Sequence, residues 1–366
     1  MSRLRIGVIG VGWWANAVHS RGILSHPGAE LAALSCRTEE KLRAAGDEFG
    51  VDALFTDWRD LLALEGLDAV TISTTHDVHY PNALAAMERG LHVFCEKPLG
   101  LNSRETERLV EVARATGVKT MVAFTNRWVP ETLVAREKLA EGAIGEVLHY
   151  TVTKFAGYGG PKSRWMWRAD PALAGGGVLS DLGCHVIDLA QWLIAPIGCL
   201  SADQRTFVPE RPKRDHMLPT PVDDATACLA EFENGVQGVF HISWTAIGSQ
   251  MERHEFCGTE GTLILNLDHD NWANTLHLSE PGDPEPRPVP IPDWAQGHIP
   301  RDVSTTEKRQ IAHQAFIEDH PSLVRAFIDA LFADEHRPPT FEDGHATQRV
   351  MDAIIEGDQT RRWVDV

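Results

Sequence analysis

The first third of the chain alternates short apolar runs with amphipathic stretches, and this alternation limits the possible folds more than any other feature. The β-like runs are residues 4–9, 31–35, 69–73, 92–95 and 120–123. The stretches with helical periodicity are residues 13–25, 39–49, 78–89 and 103–116. Strands that alternate with helices form parallel βαβ units, whose sheet is covered on both faces. The pattern therefore predicts an α/β domain with a parallel sheet over residues 1–125.

A glycine-rich turn joins the first strand-like run to the first helical stretch. It reads GVIGVGWWA at residues 7–15 and includes Trp13 and Trp14. Gly10 permits a tight turn, and Gly12 lets the backbone approach a pyrophosphate, whose charge then lies against unpaired N–H groups of the helix. An ordinary turn between a strand and a helix can carry similar glycines, but this one lies in the expected context. The sequence therefore predicts a Rossmann domain that binds a dinucleotide at this turn.

The end of the second run lacks the acidic residue that usually binds the ribose 2′-hydroxyl of NAD. Residues 35–38 read Ser-Cys-Arg-Thr. Arg37 suits the 2′-phosphate of NADP, because charge-assisted hydrogen bonds favour that anion. Alternatively, Arg37 is only solvated, and Glu39 or Glu40 reaches the ribose. The sequence favours NADP over NAD as the cofactor.

A lysine lies two residues beyond the end of the fourth run, in the sequence Cys95-Glu96-Lys97-Pro98. The carboxyl ends of strands in a doubly wound sheet face the cofactor crevice, so Lys97 is expected where the nicotinamide lies. Pro98 disfavours helical geometry at Lys97 and makes a cis peptide possible. A lysine held there can donate a hydrogen bond to a reacting alcohol or carbonyl oxygen. Taken alone, the same residues could also form a surface turn.

Beyond residue 125, strand-like runs outnumber helical stretches. They are residues 146–155, 225–232, 236–243, 254–257 and 262–265. This succession predicts an α+β second domain over residues 126–366, with a large, mostly antiparallel open sheet. Residues 281–300 contain seven prolines and no periodicity, so we expect an extended loop there that serves as a lid or an oligomer arm.

Three polar residues follow a second glycine-rich turn, at residues 175–177. Asp181, His185 and Asp188 are spaced i, i+4 and i+7, so they would share one face of an α-helix. Histidine is the side chain best suited to move a proton near neutral pH, and a neighbouring carboxylate can set its tautomer. Alternatively, His185 is a core residue satisfied by Asp188, and Asp181 caps the helix or holds Lys97. The glycine-rich turn favours a catalytic role for His185.

These motifs resemble those of the glucose–fructose oxidoreductase/inositol dehydrogenase (Gfo/Idh/MocA) family. The resemblance rests on Glu96-Lys97-Pro98 after the first glycine-rich turn, and on Trp167-Arg168 followed by GGGVLSDLGCHVID at residues 175–188. Further similarities are Asn126-Arg127, GEV at residues 145–147, GTEGT at residues 258–262 and FEDG at residues 341–344. The similar motifs extend over nearly the whole chain, and they are specific for the family but not for a substrate.

The resemblance implies an NAD(P)-dependent oxidoreductase in which Lys97 is the active-site lysine and Asp181 and His185 form the acid/base pair. A hydride then passes between a substrate carbon and C4 of the nicotinamide. His185 takes or gives the hydroxyl proton while Lys97 polarises the oxygen. The implied substrate is a sugar, a cyclitol or a sugar derivative.

The resemblance also implies further cofactor contacts. These are Thr74, His76, His79 and Glu96. The sequence departs from the family pattern here, because the usual Thr-Pro-Asn turn is Thr74-Thr75-His76. His76 is therefore expected either to alter binding of the cofactor ribose or to enter the substrate pocket.

The segment before the second glycine-rich turn, residues 156–174, is rich in aromatic and basic side chains. Aromatic faces and forked donors suit a carbohydrate, so Tyr158, Trp167 and Arg168 are candidate substrate contacts, together with Arg127. An equally good interpretation places Trp167 in a domain interface.

Composition limits the partners and the compartment. A formal net charge of −18, from 34 basic and 52 acidic residues, disfavours nucleic-acid and membrane partners. Six scattered cysteines fit a reducing compartment, and no signal peptide or apolar run of about 20 residues is evident, so we expect a cytoplasmic protein. No His-Glu-x-x-His motif or Cys/His cluster indicates a metal site. An uncovered face of the second sheet predicts a homodimer or homotetramer.

Two other functions are compatible with the motifs. One is a glycosidase that uses tightly bound NAD for a transient oxidation, as some relatives with this architecture do. The other is a non-catalytic nucleotide-binding sensor, although such relatives tend to lose the lysine and the acid/base pair that this chain keeps.

Overall fold

The computed structural model describes residues 3–268, 273–296 and 323–366. These residues form two compact units. Among the described residues, unit 1 contains 3–124 and 323–345, and unit 2 contains the remainder. The sequence predicted that residues 126–366 form one second domain. The structure corrects this, because residues 323–345 return to unit 1.

Unit 1 is built on a six-stranded parallel sheet. Its strands are Leu4–Ile9 (β1), Ala29–Ser35 (β2), Leu54–Phe55 (β3), Ala69–Ile72 (β4), His92–Cys95 (β5) and Thr120–Val122 (β6). Their order is β3-β2-β1-β4-β5-β6, which reverses between β1 and β4. All four residues of β4 are buried, as in parallel strands covered on both faces. The predicted Rossmann architecture is confirmed, and the two-residue β3 is the strand that the sequence pattern missed.

Helices connect these strands. They are Arg21–Leu24 (α1), Glu39–Phe49 (α2), Trp58–Leu62 (α3), His79–Glu88 (α4) and Ser103–Thr116 (α5). The predicted single helix over residues 13–25 is wrong in form, because Ala15–Ser20 is a π-helical turn that precedes α1. The amphipathic α5 begins at Asn102, whose side chain accepts a hydrogen bond from the N–H of Glu105, and it ends at Gly117 in the left-handed region.

The segment that returns to unit 1 begins with the helix Leu323–Ala333. Phe327 packs against Phe94 of β5, with ring centroids 5.8 Å apart. Asp329 lies 3.1 Å from Nε2 of His26, and Phe332 stacks on the His26 ring. The apolar face of this helix therefore completes the core of unit 1 rather than that of the second domain.

Unit 2 is built on a nine-stranded sheet. Its strands are Val147–Phe155 (β7), Ile197–Arg205 (β8), Ala225–Phe232 (β11), Gln237–Ser243 (β12), Met251–Gly258 (β13), Thr262–Leu267 (β14), Thr275–Ser279 (β15), Arg287–Pro288 (β16) and Val364–Asp365 (β17). Two further strands, Glu210–Lys213 (β9) and His216–Pro219 (β10), form a separate hairpin. The order of the large sheet is β16-β15-β14-β13-β7-β12-β11-β8-β17. Among the described strands of this sheet, only β7 and β12 pair in parallel, so the predicted mostly antiparallel sheet is confirmed.

Four helices are described in whole or in part with unit 2. They are Pro130–Ala140 (α6), Pro171–Ala174 (α7), Cys184–Leu193 (α8) and Asp293–Gln296 (α9). The long helix Phe341–Thr360 starts in unit 1 and continues into unit 2. A π-helical turn, Leu179–Gly183, leads directly into α8. Asp181 lies in this turn and His185 in α8, so the predicted α-helical face that they share begins in π-helical geometry.

Two other expectations about unit 2 need correction. By length and composition, the described stretch Pro171–Leu193 is apolar enough to cross a membrane, although the sequence suggested no such run. In the structure 67% of its most apolar window is buried, as in a core helix. The proline-rich segment is more ordered than predicted, since it contributes β16 and α9, and α9 contacts α6. Residues 297–300 of that segment lie outside the described residues.

Candidate active site

The first glycine-rich turn lies at the strand-order reversal of unit 1. Gly10 has φ of +102°, and a Cβ there would collide with the carbonyl oxygen of Ser73, just past β4. Only glycine fits this left-handed and closely packed position. A Cβ at Gly12 would meet no atom within 4 Å, so the space in front of the turn is open, and Trp13 beside it is 67% exposed. An open, glycine-lined turn at this place in the sheet fits the pyrophosphate of a dinucleotide.

The carboxylate of Glu96 is buried at the end of β5 and receives two side-chain hydrogen bonds. Trp14 donates through Nε1 to Oε1 at 2.6 Å, and His19 donates through Nε2 to the same oxygen at 3.1 Å. Burial alone would raise the pKa of Glu96, but the contacts with His19, Lys97 and Trp14 outweigh it and lower this pKa. Glu96 is therefore a buried carboxylate held in its ionised form.

The π-helical turn explains how two residues five positions apart reach one oxygen atom. In an α-helix, residues i and i+5 point about 140° apart around the axis. The i→i+5 hydrogen bonds of a π-helix place such residues beside each other. Ala15–Ser20 adopts this geometry, and Trp14 and His19 both face Glu96. The turn therefore joins the glycine-rich segment to the strand end that carries the candidate lysine.

Lys97 follows Glu96 and precedes a cis peptide bond to Pro98. The backbone N–H of Lys97 lies 3.3 Å from Oε2 of Glu96, and the carbonyl oxygen of Pro98 lies 2.7 Å from Nδ1 of His79. Burial lowers the pKa of His79, so the ring is neutral at neutral pH and donates through Nδ1 to Pro98. Both flanks of Lys97 are thus hydrogen-bonded to other parts of unit 1.

Other predicted cofactor residues occupy different environments. His76 is only 3% exposed, and its ring centroid lies 5.5 Å from that of His79. Thr74 lies beside Gly10, and its hydroxyl donates to the carbonyl of Thr75. Arg37 is exposed just beyond β2. Among these residues, Arg37 and Thr74 lie at strand ends on the same edge as Gly10, and the cofactor contacts themselves stay predictions.

In unit 2, Asp181 is held by two of the predicted substrate residues. The hydroxyl of Tyr158 donates to Oδ2 of Asp181 at 2.6 Å, and Nε of Arg168 lies 2.9 Å from Oδ1 in an ion pair. Although Tyr158 as a residue is 39% exposed, burial of its hydroxyl, with the adjacent Asp181 carboxylate, raises its pKa. Arg168 also stacks on Trp167, 4.5 Å from the ring centroid. Each carboxylate oxygen of Asp181 is therefore contacted by one of these two side chains.

The second glycine-rich turn is held by a residue that the motifs did not indicate. The side chain of Asp223 accepts hydrogen bonds from the N–H of Gly177 at 2.6 Å and of Leu179 at 2.7 Å. A Cβ at Gly177 would collide with the carbonyl oxygen of Asp223, so this position requires glycine. Asp223 as a residue is only half-buried, yet enclosure of its carboxyl group raises its pKa to about 6, against the lowering effect of these hydrogen bonds.

Arg127 has a different environment from the other predicted substrate residues. It is 5% exposed, and its guanidinium forms a two-point ion pair with Asp188 through contacts of 2.6 and 2.9 Å. This geometry favours a structural link between the turn Thr125–Trp128 and α8. It also engages Asp188, which the alternative interpretation had assigned to His185. Substrate contact by Arg127 stays a prediction that the geometry does not favour.

Sequence reasoning missed the residues that support the site rather than form it. They are His19 and Asp223, described above, and Asp224 and Arg211, which form a buried ion pair at 2.6 Å. A histidine inside an apolar helical stretch and two adjacent aspartates before a strand were the available signals. Within the described residues, no group of three or more His, Cys, Asp or Glu could hold a metal ion.

Comparisons with known proteins agree with the motifs. Residues 4–124 match the oxidoreductase family with an NAD-binding Rossmann fold, and residues 132–264 match the GFO/IDH/MocA C-terminal domain. The chain is 28% identical to levoglucosan dehydrogenase of Pseudarthrobacter phenanthrenivorans over 100% of its own length and 99% of that protein. It is 32% identical to D-xylose 1-dehydrogenase (NADP(+)) 2 of Haloferax volcanii, over 65% of this chain and 68% of the relative.

A solved structure supports the same grouping. Levoglucosan dehydrogenase in complex with NADH and L-sorbose superposes with a TM-score of 0.87 and 28% identity. The match covers 100% of this chain and 99% of that one. The family resemblance predicted from the motifs is confirmed.

The Glu96 contacts lead to a pH-dependent stability prediction. We expect Glu96→Gln to lower the free energy of unfolding of unit 1 by about 1–3 kcal/mol at neutral pH, since it removes hydrogen bonds to a charged group. The pKa of Glu96 in the folded state is depressed, so this stabilisation is complete above the ordinary glutamate pKa of 4.5 and is lost as pH falls through the lower folded value. Urea unfolding at neutral and acidic pH measures it. The exposed Glu88→Gln is the control, and an equal deficit at both pH values would contradict the prediction.

Proposed function

Because the chain belongs to the Gfo/Idh/MocA oxidoreductase family, we propose that it is a nicotinamide-dependent dehydrogenase that oxidises a ring hydroxyl of a sugar or sugar derivative. Levoglucosan, the substrate in the name of a relative that matches end to end, is the first compound to test. The observation that carries the proposal is the arrangement around Asp181. Its carboxylate is held by Tyr158 and Arg168 at the turn that leads into the helix of His185.

In the proposed mechanism, different side chains polarise the reacting oxygen and accept its proton. A nicotinamide dinucleotide, held at the turn of Gly12 and Trp13, supplies the hydride acceptor. Lys97 donates a hydrogen bond to the oxygen on the reacting carbon and favours the developing carbonyl. His185 accepts the hydroxyl proton, and the charge of Asp181 favours the protonated imidazole that results.

A substrate panel tests the proposed function. NAD⁺ and NADP⁺ reduction is measured with levoglucosan, methyl glucosides, D-xylose, D-glucose and myo-inositol. Turnover of at least one sugar by the wild-type protein is the expected result. No turnover combined with cofactor that stays bound through purification would instead indicate a glycosidase with transient oxidation. No turnover and reversible cofactor binding would indicate a sensor.

The catalytic assignment predicts large losses of activity. Lys97→Met and His185→Ala are each expected to lower kcat by about 10²–10⁴-fold, because each removes a group that acts on the reacting oxygen or its proton. The pH–rate profile of His185→Ala should lack one of the limbs that the wild-type profile shows. Lys41→Met and His149→Ala, on exposed positions, are matched controls. The assignment is wrong if Lys97→Met and His185→Ala stay within a few-fold of the wild type.

We also propose that NADP is preferred over NAD. The support is Arg37, an exposed guanidinium just past β2, at the position where NAD-binding domains usually carry an acidic residue. Relatives differ in this respect, since one structure holds NADH and one relative is named for NADP⁺.

Replacement of Arg37 tests the cofactor preference. Arg37→Ser is expected to raise KM for NADP⁺ by about tenfold or more, because it removes a charge-assisted contact with the 2′-phosphate, and to leave KM for NAD⁺ nearly unchanged. Steady-state kinetics with both cofactors measures the effect. Arg43→Ser, on α2 and ion-paired with Glu39, is the control. Equal changes in KM for NADP⁺ and NAD⁺ would mean that Arg37 does not contact the 2′-phosphate.

A homodimer or homotetramer is proposed from one face of the large sheet of unit 2. Leu229, Val239 and Met251 are 49%, 38% and 39% exposed, and their strand registers place them on the same face. An exposed apolar face of this kind favours self-association. None of the six cysteines forms a disulfide bond, which supports the proposal of a cytoplasmic location.

Charge substitutions on that face are expected to break the oligomer. The combination Leu229→Glu with Val239→Lys places charges where apolar side chains would be buried between copies, so the molar mass should fall to that of one chain. Light scattering at micromolar concentration measures it. Leu24→Glu, on an exposed site of unit 1, is the control. A wild-type protein that is already monomeric would overturn the proposal.

A further inference from the structure

Asp223 holds the turn that presents Asp181. Its side-chain oxygens accept from the N–H groups of Gly177 and Leu179, and its carbonyl oxygen accepts from the N–H of Val178 at 2.9 Å. Three consecutive N–H groups at the start of a helical segment are thus satisfied by one residue. Asp181 lies two positions beyond Leu179, so the orientation of this turn determines where its carboxylate points.

Asp224, the next residue, holds a different segment. It is fully buried, and its Oδ1 receives hydrogen bonds from Nη2 of Arg211 and Nε1 of Trp244, both at 2.6 Å. The same Nη2 of Arg211 donates to the carbonyl oxygen of Gly159 at 2.7 Å. The other oxygen of Asp224 accepts from two backbone N–H groups, those of Phe207 and Val208. A buried ion pair with every oxygen contacted in this way is a rigid point in the fold.

The segment that Arg211 holds carries Tyr158. Gly159 donates its N–H to the carbonyl oxygen of Trp244 at 2.8 Å, and the ring of Tyr158 packs edge-on against that of Trp244, with centroids 5.8 Å apart. A Cβ at Gly159 would overlap the indole of Trp244, so the chain lies directly on this ring. The position of Tyr158 therefore depends on Asp224 through Arg211 and Trp244.

We propose that Asp223 and Asp224 are paired positioning residues for the reaction. Asp223 sets the position of Asp181, Asp224 sets that of Tyr158, and the 2.6 Å hydrogen bond from Tyr158 to Asp181 is formed where the two segments meet. Because the two aspartates are adjacent, one short segment before β11 aligns both partners of this bond. The inference rests on the proposed function, since it assigns the two residues to the support of Asp181.

Kinetics of single variants test the effect on catalysis. Asp223→Asn and Asp224→Asn are each expected to lower kcat by about ten- to a hundredfold, since small displacements of a reacting group are costly. Binding of the reduced cofactor, which is assigned to unit 1, should change less than about twofold. Arg211→Lys keeps the charge but not the forked contacts, and an intermediate loss is expected for it. Wild-type kcat in both aspartate variants would overturn the proposal.

A double-variant cycle separates positioning from general destabilisation. If Asp224 acts through Tyr158, then Asp224→Asn combined with Tyr158→Phe should lose no more activity than the larger single loss. If the activity losses of the two single variants multiply in the double variant, then Asp224 acts by another route, and the claim that it positions Tyr158 is overturned.

Hydrogen–deuterium exchange tests, without any assay of activity, whether Asp223 holds the turn before Asp181 and whether Asp224 holds the segment of Tyr158. Asp223→Asn should speed exchange of the amides at residues 177–179. Asp224→Asn should speed exchange of the amides at residues 157–165. Asp203→Asn removes an equal charge from an ion pair with Arg205 and should leave both segments unchanged. Unaltered exchange in the aspartate variants overturns the inference, whether or not a substrate is known. Failure of the wild type to oxidise any sugar would contradict only the proposed function.

Discussion

The buried charge of Glu96 is the constraint around which unit 1 arranges its candidate site. An ionised carboxylate removed from water needs donors, and here these are the indole of Trp14 and the imidazole of His19. Both donors come from the segment that follows the glycine-rich turn, so their contacts tie that segment to the end of β5. Lys97 is the next residue along the chain. The same interaction therefore places the lysine and orients the segment that follows the glycine-rich turn.

Unit 2 uses the same physical device with different partners. Asp223 is enclosed and satisfied by backbone N–H groups, while Asp224 is fully buried and satisfied by Arg211, Trp244 and two more N–H groups. Carboxylates suit this task because each has two oxygens and can accept several hydrogen bonds in fixed directions. Breaking such a set leaves buried groups without partners, which costs more than the contacts contribute when intact. Substitutions at Asp223 or Asp224 should therefore be costly, in keeping with the positioning role proposed for them.

The sequence predicted those parts of the molecule in which a local pattern has one structural solution. Gly10, at positive φ against Ser73, and Lys97, at a strand end, belong to this class. It could not predict that Ala15–Ser20 would be π-helical, because that geometry is favoured by a distant partner, Glu96, and not by local propensity. The return of residues 323–345 to unit 1 also depends on packing between positions far apart in the chain. For the same reason, Asp223 and Asp224 were visible only as two adjacent acidic residues.

The geometry also bears on why shared motifs leave the substrate open. The sequence assigned Tyr158 and Arg168 to substrate binding, yet both are engaged by Asp181, and Arg127 is paired with Asp188. In the proposed mechanism, residues that hold Asp181 in place serve a step common to every substrate, so they carry little information about which sugar is bound. The proposed mechanism therefore assigns selectivity mainly to side chains that do not hold Asp181. Substrate preference should therefore be changed by altering other residues of segment 156–174, whereas changes at Tyr158 or Arg168 should reduce activity towards all substrates alike.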